Sequence, residues 1–145
     1  MPAIAFDVDD TLYDLAEPYR RAVVEFFGSD MGLDLDALFR TCRSYSDEAY
    51  EQVLAGERSV EYMHLYRVQR TFSDFGIEVS REDALALQRT YERYQAQICV
   101  SPAMRGLLGA CRDASWQLGI ISNGDSAHQG GKLSALGIFD LVPRD

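Results

Sequence analysis

"AIAFDVDDTLYD", residues 3 to 14, joins an apolar run to four aspartates, Asp7, Asp9, Asp10 and Asp14, within eight positions. An unbroken apolar run bounded by charge fits a strand covered on both faces, as in parallel α/β sheets, better than an alternating surface strand. Ala3 to Asp7 is therefore expected to be such a strand. Close carboxylates repel one another, so their clustering at a strand end implies a partner in the working state, either a metal ion or a reacting group. In extended backbone, residues i and i+2 project to the same side. Asp7 and Asp9 would then face one point beyond the carboxyl end of the strand, where open α/β sheets place their ligands.

Two plainer readings of the cluster are weaker. Asp14 and Glu17 could form a capping box ahead of Pro18 and a first helix, but capping leaves Asp7, Asp9 and Asp10 unexplained. A calcium loop fails because Leu12 stands where the sharp turn needs glycine and Pro18 where a bidentate glutamate is required. In the catalytic reading, one carboxylate attacks an electrophile and the other moves a proton. A magnesium ion would relieve the repulsion between a carboxylate and a phosphoryl group.

Beyond the cluster the apolar period becomes helical. Tyr19, Ala22, Val23, Phe26 and Phe27 make one stripe, with Gly28 as its stop. Leu35, Leu38, Cys42, Tyr45 and Ala49 make a second, and Leu65, Val68, Phe72 and Phe75 a third that ends at Gly76. Ala84, Leu87, Tyr91, Tyr94 and Ile98 make a fourth. Four amphipathic helices with no strand between them read as a bundle. After "VSP", Met104, Leu107, Leu108 and Cys111 predict a short helix, "WQLGIIS" a second apolar strand ending at Ser122, and residues 126 to 136 a further helix. Phe139 to Val142 are expected to begin a third strand. The order is that of an α/β core interrupted by an all-helical block.

Composition narrows the partners. The chain has 145 residues, 47% of them hydrophobic, enough to fill one ordinary domain or a small core with an insertion. A net charge of −9 argues against nucleic acid and anionic membrane surfaces. Cys42, Cys99 and Cys111 are widely spaced and odd in number, so a reduced cytoplasmic compartment is the simplest reading. No run approaches the length of a membrane span, and the first residues lack the pattern of a signal peptide. Of 14 basic residues, Lys132 is the only lysine. His64 reads as a partly buried structural histidine, for His128 an approach to the mouth of the site is the lesser reading, and solvated or ion-paired side chains are the default for Arg67 and Arg70.

"FDVDDTLYD" resembles the first motif of the haloacid dehalogenase superfamily, Asp-x-Asp-x-Thr or Val at the end of the first core strand. "GIISNG", residues 119 to 124, resembles its second motif, a strand ending in Ser or Thr. The 86 residues from Leu15 to Val100 match the inserted cap of the helical-cap subclass. The resemblance implies a Rossmann-like parallel-sheet α/β core, residues 1–14 and 101–145, and a helical cap domain, residues 15–100. It implies Asp7 as the nucleophile that forms an aspartyl phosphate, and Asp9 as general acid and then base. Mg²⁺ would sit on the Asp7 carboxylate and the Asp9 backbone carbonyl. Ser122, Asn123, Asp10 and Thr11 would surround the phosphoryl group, with hydrogen bonds from Ser122 and from backbone N–H groups after Asp7.

The implied activity is that of a magnesium-dependent phosphohydrolase. Its partner would be a small phosphorylated metabolite, such as a nucleoside monophosphate or a sugar phosphate. Asp9 sets the chain apart from the superfamily's carbon-attacking dehalogenases, which need no leaving-group acid. The family's third-motif Lys or Arg and fourth-motif acidic residues have no counterpart of the usual spacing. Lys132 is only ten residues past Ser122, too early for that lysine, and Arg144 is close to the last residue. Asp10 and Asp125 are the candidates to complete a metal site. An alternative from a different class is a noncatalytic remnant or fragment with a binding or structural role. A chain holding only part of the family's sheet is also expected to self-associate through an open edge of its first strand.

Overall fold

In the computed structural model the described residues are 1–124 and 126–142. They run β1 (Ala3–Phe6), α1 (Glu17–Phe27), α2 (Leu35–Leu54), α3 (Val60–Asp74), α4 (Arg81–Gln95), α5 (Pro102–Asp113), β2 (Gln117–Ile120) and α6 (Ser126–Leu136). Among the described residues no helix is long and apolar enough to cross a membrane. The chain divides into two units, one of Met1–Leu15 with the chain from Gln95 onward, the other of Ala16–Tyr94.

In the first unit β1 and β2 pair in parallel, with Ala3 opposite Gln117 and Phe6 opposite Ile120. The ladder continues one step further, through a bond from the Ile121 N–H to the Phe6 carbonyl at 3.0 Å. Ile4, Phe6 and Val8 alternate toward a core shared with Leu12, Leu108, Leu118, Ile120, Leu136 and Ile138. Ala3, Ala5 and Asp7 point the other way and are exposed. The strand expected to be covered on both faces is thus covered on one, because the described apolar cluster packs against only one side of the sheet.

Two other expectations change in this unit. Ile98, read as part of the fourth helical stripe, lies beyond α4 and is buried with Val100 in the α/β core. Phe139 to Val142 form a turn instead of a strand, the N–H groups of Leu141 and Val142 both bonding to the Ile138 carbonyl at 2.9 and 2.8 Å. Apolar residues that short can be buried in either conformation, so the pattern alone did not decide between them.

The second unit contains the four amphipathic helices. Asp34 caps α2 by accepting from the N–H groups of Asp36 and Ala37, and Ser59 caps α3 by accepting from Tyr62. For α1 the N-cap is Ala16, two positions past the Asp14 expected to cap it, and Ala16 makes no side-chain capping bond. Gly28 ends α1 with a φ of 77°, a left-handed conformation that glycine adopts without steric cost. The stripes meet in a closed core that includes Tyr19, Val23, Leu38, Phe72 and Leu87, each 1% exposed or less. Tyr19 packs edge-on to Tyr91 at 5.4 Å and tilted against Phe39 at 5.5 Å. Inside this bundle Arg67 donates to Ser46 at 3.2 Å and to Gln88 at 2.6 Å, and Gln88 passes a bond on to Glu92 at 2.8 Å.

Candidate active site

The parallel register sets the carboxyl ends of β1 and β2 side by side. Asp7 follows Phe6 on one strand, and Ser122 follows Ile121, whose N–H bonds to the Phe6 carbonyl, on the other. Asp7 and Ser122 therefore leave neighbouring strand ends, the position at which open α/β sheets bind ligands. What unites them is backbone register, set by apolar residues that must all fall on the core face.

After Asp7 the chain turns at once. Val8, fully buried, accepts from the N–H groups of Thr11 at 3.3 Å and Leu12 at 2.9 Å, and Leu12 is buried as well. These two apolar anchors hold the turn down. Asp10 takes a φ of 58°, a left-handed conformation that Asp tolerates better than most residues. Its carboxylate accepts from the Leu15 N–H at 2.9 Å and so serves the turn locally. Thr11 is half-buried, with its N–H directed to Val8. On the β2 side Asn123 is exposed, and the Ser122 hydroxyl accepts from the Gly124 N–H at 3.3 Å.

Asp9 has the densest surroundings. Its Oδ1 accepts from the Tyr13 hydroxyl at 2.8 Å and from the Lys132 ammonium at 2.7 Å. Burial pushes the Asp9 carboxyl up, but it is outweighed by hydrogen bonds from Lys132, Tyr13 and Gln129 and by the Lys132 charge. The net effect is a pKa below the ordinary 3.8, so the group is ionised at neutral pH. Gln129 is itself buried and lies against Gly124, where a Cβ would stand 2.2 Å from its amide nitrogen. Only glycine fits there without moving Gln129.

Lys132 is the residue that sequence order passed over. It is early in the chain for the family's lysine, yet α6 returns it to the strand end, with its side chain 10% exposed. Two signals in the sequence pointed to it: it is the only lysine, and Gln129 stands three residues earlier on the same helical face. His128 is exposed in the first turn of α6. His64 on α3 lies 4.0 Å from Glu92; burial and then the Arg67 charge hold its pKa below the ordinary 6.5. Asp125 and Arg144 lie outside the described residues.

Mg²⁺ is a hard cation usually held by one or two carboxylates together with waters and substrate phosphate oxygens. Asp7 offers an exposed carboxylate, and the Asp9 backbone carbonyl follows two residues on, a donor set of that open kind. A closed protein cage is absent, since no group of three or more His, Cys, Asp or Glu residues among those described could hold a metal. Asp10 accepts from the Leu15 N–H through Oδ1 and is otherwise exposed.

A family model for haloacid dehalogenase-like hydrolases matches residues 1–144. The chain belongs to that family. Solved structures agree on the fold. YfnB of Bacillus subtilis, described as a HAD-hydrolase and bound to magnesium, is 20% identical with a TM-score of 0.60, the match covering 98% of this chain and 62% of that one. The L-2-haloacid dehalogenase RSc1362 is 21% identical with a TM-score of 0.64, covering 99% and 62%. An L-2-haloacid dehalogenase of Xanthobacter autotrophicus is 16% identical with a TM-score of 0.62, covering 99% and 55%. The chain thus spans roughly three-fifths of the length of these structures. No curated protein matches it.

Proposed function

We propose that this hydrolase fold acts on a small phosphomonoester, with Asp7 as the nucleophile. The observation that supports the reading is the pair of adjacent parallel strand ends delivering Asp7 and Ser122, with Asp9 two residues beyond Asp7. An Asp7 carboxylate oxygen attacks phosphorus, the bond from phosphorus to the ester oxygen breaks, and the departing alcohol takes a proton from Asp9. Asp9, now ionised, accepts a proton from water as that water attacks phosphorus. The bond from phosphorus to Asp7 breaks, releasing inorganic phosphate and restoring the carboxylate. The Ser122 hydroxyl donates to a phosphoryl oxygen in both halves.

Mg²⁺, held by the Asp7 carboxylate and the Asp9 carbonyl, would supply positive charge against the anionic phosphoryl group. The ionised state of Asp9 suits the second half of the reaction; for the first half Asp9 takes up a proton from the phosphate monoanion of the bound ester and passes that proton to the leaving alcohol. Its acid role in the first half is needed for alkyl leaving groups and hardly at all for p-nitrophenolate, which departs readily as an anion. Nucleoside monophosphates and sugar phosphates belong to this class, as small esters with alkyl leaving groups.

The test is phosphate release with and without Mg²⁺. Asp7→Asn should abolish turnover of every phosphomonoester. Asp9→Asn should slow alkyl phosphates by roughly 10²- to 10⁴-fold, as loss of an acid–base group does, and p-nitrophenyl phosphate by much less. Full activity in Asp7→Asn, or turnover indifferent to Mg²⁺, would sink the proposal. A second reading, displacement of halide from carbon by Asp7, is favoured by the dehalogenases among the structural relatives. Chloride release from 2-chloropropionate without phosphatase activity would establish it instead.

A further inference from the structure

We propose that α6 is a positioning arm for Asp9, with Lys132 fixing the orientation of the carboxylate from across the strand ends and Gln129 bracing it. The inference rests on the hydrolytic reading above. A lysine on a helix ordinarily extends its ammonium into water, keeping only the aliphatic stem against the protein. Lys132 does the reverse: its side chain is 10% exposed and its ammonium is 2.7 Å from a carboxylate 123 positions away. The same oxygen also receives the Tyr13 hydroxyl at 2.8 Å. Two donors converging on one oxygen from different segments restrict rotation of the carboxylate, which a single contact would leave free.

Gln129 gives the arm a second point of attachment. It lies one turn before Lys132, is 8% exposed, and carries a buried Oε1 with no hydrogen-bond partner among the described residues. Its amide fills the space beside Gly124, in the loop leaving β2. One helix face therefore links the loop after β2 to the carboxylate after β1. Stability alone is a poor reason for such a part-buried pair, because drawing an ammonium out of water offsets much of what the attraction gains. Proton transfer, by contrast, requires a carboxylate held to within about half an ångström of its working geometry.

Because Lys132 is the only lysine, ¹⁵Nζ-lysine labelling gives a single ammonium signal in NMR. For the 145-residue chain we expect a slowly exchanging, observable signal that is lost or strongly shifted in Asp9→Asn. An ammonium signal averaged into solvent, or one unmoved by Asp9→Asn, would overturn the assignment. In turnover of an alkyl phosphate, Lys132→Met should lower kcat by roughly 10- to 100-fold, the usual cost of losing a residue that orients a functional ligand. KM should stay within about two-fold, and Lys132→Arg should recover part of kcat.

Full kcat in a folded Lys132→Met variant refutes the positioning role while leaving Asp7 chemistry intact. If Lys132→Met does not fold, Lys132→Arg and the wild-type ammonium signal decide. A protected ammonium in a chain that hydrolyses no phosphomonoester refutes the hydrolytic reading and, with it, a positioning role in that reaction.

Discussion

Each unit of the molecule draws a basic side chain inward, and the two are met differently. In the helical unit the Arg67 guanidinium is taken up by neutral partners, Ser46 and Gln88, and a carboxylate enters only one bond further on, through Glu92. In the α/β unit the Lys132 ammonium meets the Asp9 carboxylate directly. A neutral network spreads the guanidinium's rigid fork of donors over two helices and fixes how they pack. A direct ion pair at a strand end holds one charged group in one place. The first arrangement specifies a bundle, and the second, in the reaction proposed above, prepares a reacting group.

The largest expected effect tests how closed the bundle is. Phe72 is fully buried and its ring lies tilted against that of Phe27 at 5.3 Å. Phe72→Ala should lower unfolding free energy by about 3–5 kcal/mol in chemical denaturation. A loss below about 1 kcal/mol would mean that the helices collapse around the gap and that their core is not specifically packed.

A smaller effect bears directly on the two basic residues. Arg67→Met leaves the buried Ser46 and Gln88 without their donor and should cost about 1–3 kcal/mol. Its signature should be a lower melting temperature with kcat for an alkyl phosphate preserved, the opposite of Lys132→Met. Equal losses of kcat in the two variants would erase the distinction drawn between the units.

The smallest effect separates the units by pH. His64 favours its neutral form in the folded bundle, so as pH falls the unfolded chain takes up a proton first. Its contribution to stability is complete above about pH 6.5 and declines as pH falls from there toward the lower folded pKa. Asp9 behaves differently: its contribution is present above 3.8 and is lost only as pH falls through its own lowered pKa. Melting curves should therefore begin to soften just below pH 6.5, and His64→Gln should remove that early component while leaving the more acidic one. An unchanged profile in His64→Gln would mean that its imidazole is equally at ease charged in the fold.

Local pattern was enough to read much of this chain. Helical stripes placed α1 to α4 because the 3.6-residue period is written in which residues are apolar, and an apolar run ending in "DVDD" announced β1. Asp7 and Ser122 were legible because each directly follows a strand, and a parallel register brings such positions together. Features that depend on what lies opposite a residue were not legible. Ala3 and Ala5 turned out exposed, Ile98 joined the α/β core instead of the bundle, and residues 139 to 142 turned instead of extending.

Lys132 shows the limit most sharply. Its identity and its place on α6 were available from the sequence, but its partner lies 123 positions earlier. No local period carries a contact of that range. By itself the sequence determined the elements, the strand-end acids and the family resemblance, since each follows from residues within a few positions of one another. The tertiary structure alone decided that the only ammonium on a lysine side chain would be spent on Asp9. That pairing exists because the β1–β2 register and the burial of Leu133 and Leu136 turn one face of α6 toward the strand ends.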